Sequence, residues 1–235
     1  MRTDGRWLQD NAGRALILRG VNVSGSAKVP AIPAGDSRSR DALLHPESVS
    51  FVGKPIPLDV ADEHFARLRA FGHRLLRLVV TWEAIEHAGP GLYDVEYLAY
   101  LRALIERAAQ YDLQIFVDPH QDVWSRFTGG DGAPAWTLDL VGIRTDKLVP
   151  CGAAIVSAYF DGPLPTMIWP TNYTKLGAAT MFTLLFAGND FAPSLTIEGE
   201  SISAFLQRHY VSALVALATA LRGLPNVTGY GTMNE

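Results

Sequence analysis

The chain alternates short apolar runs with longer stretches of helical period. Ala15 to Val23 is apolar and β-branched in its second half and reads as a buried first strand, entered through an Asn11-Ala12-Gly13 turn signal. Pro30 to Pro57 is rich in Pro, Gly and Ser without a sustained period, so it reads as a surface excursion. A helix follows, capped by Asp59, with Asp62 three residues later, Phe65, Leu68 and Phe71 facing inward, and Gly72 as its stop. His73 to Val80 is the second strand, with Thr81-Trp82-Glu83-Ala84 as the loop after it. Tyr93 to Tyr111 is a second helix, with Leu98, Leu101, Leu104, Ile105 and Ala108 at helical spacing. Leu113 to Asp122 is a third strand that turns polar at its C-terminal end. Ser201 to Arg222 is a third long helix, ended by Gly223, and Val227 to Met233 is a fourth strand.

Between the third strand and the third helix lies Val123 to Ile197, far longer than a βα loop needs. It is dense in aromatics, Gly and Pro, and Thr174 to Phe186 reads as a short helix within it. Its aromatics fit either a local core or the lining of an apolar groove, because both use the same residues. The order β-α-β-α-β, with long helices, predicts an α/β fold with a parallel sheet. Four strands and three intervening helices, with the insertion after the third strand, make up the first part of a (β/α)8 TIM barrel, which needs eight of each. The expected organisation is a single catalytic domain of which residues 1–235 form the N-terminal half, with 123–197 as an aromatic-rich insertion.

Composition narrows the chemistry. Apolar residues make up 48% and charged residues 19% of 235 residues, enough for a sizeable core. A net charge of −4 gives no general attraction to polyanions, so the expected partner is a small molecule and not nucleic acid. No apolar run is long enough to span a bilayer. One cysteine, Cys151, cannot form an internal disulfide, and the N-terminus lacks the order of a signal peptide; both point to a cytoplasmic protein. The Asn172-Tyr173-Thr174 sequon would then be unused.

Every polar cluster falls just after an expected strand: Asn22 to Lys28, Arg77 with Trp82 and Glu83, Asp118-Pro119-His120-Gln121-Asp122, and Asn234-Glu235. In a parallel barrel these ends converge on one face. Each residue has a plainer reading: Glu235 as a chain terminus, Arg77 as an ordinary ion-pair partner, Lys28 as a solvated loop residue. His120 and its flanking aspartates could ligate a metal, but the strand-end context beside Pro119 fits sugar hydrogen bonding better, so no metal and no cofactor are expected.

Together these stretches resemble the N-terminal half of a family five glycoside hydrolase, in the endoglycoceramidase-related branch that includes fungal glucosylceramidases and steryl-β-glucosidases. The resemblance is carried by Leu18-Arg19-Gly20-Val21-Asn22, Ser26-Ala27-Lys28, Arg77 to Glu83, Asp118 to Ser125, Pro170 to Leu176 and Met233-Asn234-Glu235. It implies a retaining β-glucosidase of glucosylated lipids, with Glu235 as general acid/base and Asn234 on the sugar 2-hydroxyl. Arg77 would support the nucleophile, and His120 would lie beside the sugar. Lys28, Asp118 and Trp124 would bind substrate. The family's nucleophilic Glu, on its seventh strand, has no counterpart in this chain. The alternative expectation is therefore a non-catalytic truncated or half-barrel fragment that binds a partner, such as a C-terminal half, or self-associates through open strand edges.

Overall fold

The structure, a computed structural model, describes residues 2–35, 38–163 and 168–234. A small antiparallel hairpin, β1 (Arg2–Asp4) and β2 (Trp7–Gln9), precedes a parallel sheet. That sheet contains β3 (Gly20–Val23), β4 (Leu75–Thr81) and β5 (Gln114–His120), separated in sequence by helices α1 (Ala61–Ala70), α2 (Trp82–Glu86) and α3 (Val95–Ala109). After β5 come α4 (Leu176–Phe191), a two-residue hairpin of β6 (Thr196–Ile197) and β7 (Glu200–Ser201), and α5 (Ile202–Ala220). The last strand, β8 (Val227–Tyr230), joins the sheet beside β5. The four strands stand in the order β3-β4-β5-β8, each parallel to its neighbour. This is the arrangement that four consecutive strands of a (β/α)8 barrel would have.

The sheet owes its two faces to the two-residue period of a strand. In β4, Leu76, Leu78 and Val80 are no more than 2% exposed and belong to the core beneath the helices, where each contributes about 1.5–3 kcal/mol by burial. The alternate positions, Arg77, Val79 and Thr81, face the opposite way. In-register pairing sets Asn22, Arg77 and Phe116 side by side, then Val79 beside Asp118 and Thr81 beside His120. Hence one face carries a band of polar groups that thickens toward the C-terminal ends of the strands.

Several expected boundaries move. Residues 15–18 lie outside the sheet: Leu16 N–H bonds the Leu8 carbonyl, and Ile17 is 88% exposed, because only 20–23 meet a neighbouring strand. Asp59 is not a cap; α1 begins at Ala61 behind Val60, and Phe71 is 72% exposed instead of facing inward. Gly72 does end the helix, at φ +85°. The expected loop after β4 is α2, capped by Thr81 Oγ1, which accepts from Ala84 N–H at 3.2 Å. The fourth strand stops at Tyr230, yet 231–234 still run beside β5, with Gly231 N–H on Val117 O (2.8 Å) and Asn234 N–H on Pro119 O (3.1 Å).

The described aromatics of the insertion divide between core and surface. Trp124, Phe127 and Trp136 enter the core, whereas Trp169, Tyr173, Phe186 and Phe191 stay exposed. Helix α4 is longer than expected and is pinned to α5 by Ser203 Oγ–H and Gln207 Nε2–H, which both donate to Leu185 O at 2.7 Å. No described helix is long and apolar enough to cross a membrane.

Candidate active site

Lys28 is brought to the polar face by a single 3-10 turn, Gly25–Lys28, whose Ser24 side chain accepts from Ser26 N–H at 3.2 Å. The larger wall is built after β5. Val123 and Trp124 both have positive φ, +45° and +80°, a conformation that costs a β-branched or bulky residue appreciable strain. They persist because the segment after them is locked. Ser125 and Thr128 form a reciprocal capping box, and Thr128 Oγ1–H donates to Val123 O at 2.6 Å. The reversal returns Asp131 alongside Asp122, where the two exchange backbone hydrogen bonds at 3.0 Å each way. Gly130 permits that approach, since a Cβ there would lie 1.8 Å from the Asp122 carbonyl oxygen.

A continuous line of charge-assisted hydrogen bonds crosses the strand ends. Arg77 Nη2 donates to Asn234 Oδ1 (2.6 Å) and lies 2.8 Å from Asp118 Oδ1. The other oxygen of Asp118 accepts from His120 Nδ1 at 2.8 Å, and His120 Nε2 lies 3.4 Å from Asp122 Oδ2. That same oxygen accepts from Lys28 Nζ, which also lies 3.3 Å from Asp131 Oδ2. Positive and negative groups alternate along the line, so each buried charge has a partner.

The alternation shifts the titrations. Burial works against a charged His120, but hydrogen bonds to Asp118 and Asp122 outweigh it and push the imidazole up to about 9. It is therefore an imidazolium at neutral pH, donating from both nitrogens. Burial would raise Asp122, yet the hydrogen bonds from His120 and Lys28 hold it at about 2. Asp131 goes the other way: burial, with the Asp122 charge adding to it against the pull of Lys28, raises it to about 7.

A cavity of about 700 Å³ opens over this line and is lined by Asn22, Lys28, Arg77, His120, Asp122, Asp131, Trp169 and Asn234, among others. Lys28, Arg77, His120 and Asn234 thus converge as expected. Asp118 sits behind them, tied to Arg77 and His120. Trp124 does not line the cavity. It is 3% exposed, its indole N–H donates to Thr137 Oγ1 at 3.0 Å, and its ring meets Trp82 and Phe182 edge-on. Glu235 lies outside the described residues. Glu83, expected near the mouth, is buried and takes two bonds from Arg126, at 2.6 and 2.7 Å, which anchors the 121–132 turn to α2.

Two residues given no role by the sequence take part. Gln121 clasps Asn234 through Nε2–H to Asn234 O at 2.6 Å, while Asn234 Nδ2–H returns to Gln121 O at 3.1 Å. Asp131 is the other, and its one sequence signal is an acid set among Gly129, Gly130 and Gly132. His120, Asp122 and Asp131 offer three ligand atoms within 4.8 Å of one another, as a metal site would. The Lys28 ammonium already lies on both carboxylates, so a cation would have to displace it.

No family model matches the chain. Over 237 residues it is 51% identical to a protein named glucosylceramidase from Rhizopus delemar, covering 98% of this chain and 35% of that protein. It superposes on a crystal structure of Cryptococcus neoformans sterylglucosidase 1 with a TM-score of 0.92 at 42% identity, covering 97% of this chain and 34% of the other. Endo-glycoceramidase II from Rhodococcus sp., solved with a five-membered iminocyclitol, gives 0.64 at 25% identity, covering 97% and 41%. The chain thus spans about a third of the length of the curated relatives it matches. With the parallel strand order and the polar line at the strand ends, these likenesses bear out the resemblance: the chain is similar to about a third of the fungal proteins named glucosylceramidase and sterylglucosidase, and more distantly to endo-glycoceramidase II.

Proposed function

We propose that this chain supplies the sugar-binding side and the general acid/base of a retaining β-glucosidase that acts on a glucosylated lipid, a steryl β-glucoside or a glucosylceramide. The observation that carries the reading is the paired line from Arg77 to Lys28 beneath an open cavity. It presents hydrogen-bonding groups of both signs to one small polar ligand, as a ring of sugar hydroxyls requires. In this reading Asn234, bonded to Arg77, would meet the 2-hydroxyl, and Lys28, His120 and Asp122, which line the same cavity, would meet the hydroxyls on the far side of the ring. Trp169 borders the cavity and packs edge-on against Tyr173 at 6.2 Å, with both rings partly exposed, which offers an apolar aglycone a place to lie.

In this reading Glu235 protonates the leaving oxygen while a second carboxylate attacks the anomeric carbon. Glu235 then takes a proton from the water that releases the sugar. Asp118, Asp122 and Asp131 are poor candidates for the nucleophile, since each is engaged with Arg77, His120 or Lys28. That carboxylate would come from outside residues 1–235. The test is Glu235→Gln in the full-length gene product. Hydrolysis of a β-glucoside with a poor leaving group should fall by roughly 10²–10⁴; turnover at the wild-type rate would remove Glu235 from this role.

One observation favours a second reading, a non-catalytic fragment that needs a partner. Beside β8, a groove of about 380 Å³ is lined by Pro119, Leu214, Ala218, Tyr230 and their neighbours, and Val211 and Val215 are more than half exposed. Such a face suits another βα unit or a second copy. The two readings separate on whether residues 1–235 alone hydrolyse a glucoside.

A further inference from the structure

Asp131 is the deepest carboxyl of the cavity wall, 2% exposed, and its Oδ1 has no hydrogen-bond partner. The charged groups placed against it are Lys28, from the turn after β3, and Asp122 and His120, from the end of β5. Two carboxylates so close cannot both ionise freely. Asp122 holds the charge because it takes both Lys28 and His120. A buried carboxylate oxygen with nothing to accept from is costly, and the group sheds that cost by holding a proton. Geometry and titration agree here, since burial leads the causes that raise Asp131 to about 7.

We propose that Asp131 is a positioning residue of the sugar site: as a neutral carboxyl it braces Asp122 and leaves the Lys28 ammonium committed to that residue, and on ionising it competes for Lys28 and loosens the sugar-facing pair. It acts on the substrate only through those two side chains. The backbone supports the role, because the Asp122–Asp131 bridge and the close approach at Gly130 fix the two carboxyls relative to each other.

The proposal rests on the glucoside reading above, so its test has one arm that needs no substrate. In the full-length gene product, KM for an aryl β-glucoside should rise between about pH 7 and 8, below the pH at which His120 gives up its charge, by at most about tenfold for that unit. Asp131→Asn still donates a hydrogen bond but cannot ionise, and its KM should stay flat over the same range. Asp131→Ala should raise KM at every pH, and more than it changes kcat. An alkaline rise that persists in Asp131→Asn overturns the proposal, as does a wild-type KM in Asp131→Ala. Should the alanine variant fail to fold, the near-isosteric asparagine variant still decides.

The second arm is infrared spectroscopy of the ligand-free protein at mildly acidic pH. A carboxylic acid C=O band should be present in the wild type and lost in Asp131→Asn. Its absence from the wild type overturns the proposal even if no glucoside is ever turned over. A band of the expected behaviour in a protein that hydrolyses no glucoside would count against the functional reading alone.

Discussion

His120 shows how a single residue ties fold to site. Its ring lies between Asp118 and Asp122, and the two bonds that aim it also keep it charged. Because its folded pKa, about 9, lies above the ordinary 6.5, its contribution to stability is fully present below pH 6.5 and is lost as pH rises through 9. Calorimetry of the wild type should therefore show a thermal midpoint that falls across that window, by about 2–4 °C for each of the ~3 kcal/mol that the rise to about 9 implies, a decline absent from His120→Asn. Parallel curves for the two proteins would mean that the ring is neutral. His120 and Asp118 were legible in the sequence because a strand that turns polar at its end announces a site. Asp131 was not: its partner lies nine positions earlier, across a turn that has no period to read. Trp124 was misplaced for the opposite reason, since its sequence neighbours are site residues while its own side chain turns into the core.

Among elements, the turn after β5 bears most on the site, because it holds Asp122, Gln121 and Asp131 in one piece. Gly130→Ala should drive a methyl group into the Asp122 carbonyl, destabilising the protein by about 1–3 kcal/mol and raising KM. A denaturant midpoint and KM both unchanged would show that the turn relaxes freely. Strands β4 and β5 and helix α3 were readable from apolar spacing, which is strongest where both sheet faces or a full helical face are buried. Helix α2 was not, because five residues show no period, and nothing in the sequence near Glu83 points to Arg126, the partner that buries it. The first strand is shorter than its apolar run, since a β-branched run reads as buried whether or not a partner strand reaches it.

At the scale of the molecule, the described residues contain four consecutive parallel strands with their polar ends together and an apolar groove along β8. The fold class and the likeness to fungal glucosylceramidases and sterylglucosidases were legible from the order of strand-end motifs; how the long insertion divides between core and surface was not, because aromatics serve both. The central claim is that the line from Arg77 to Lys28 receives a glucose ring. It is tested most directly by a crystal structure of the full-length gene product with a glucose-shaped iminosugar. The account predicts the ring in the cavity over β4 and β5, within hydrogen-bond distance of Lys28, His120 and Asp122. A saturating ligand bound elsewhere, with these side chains untouched, would contradict it.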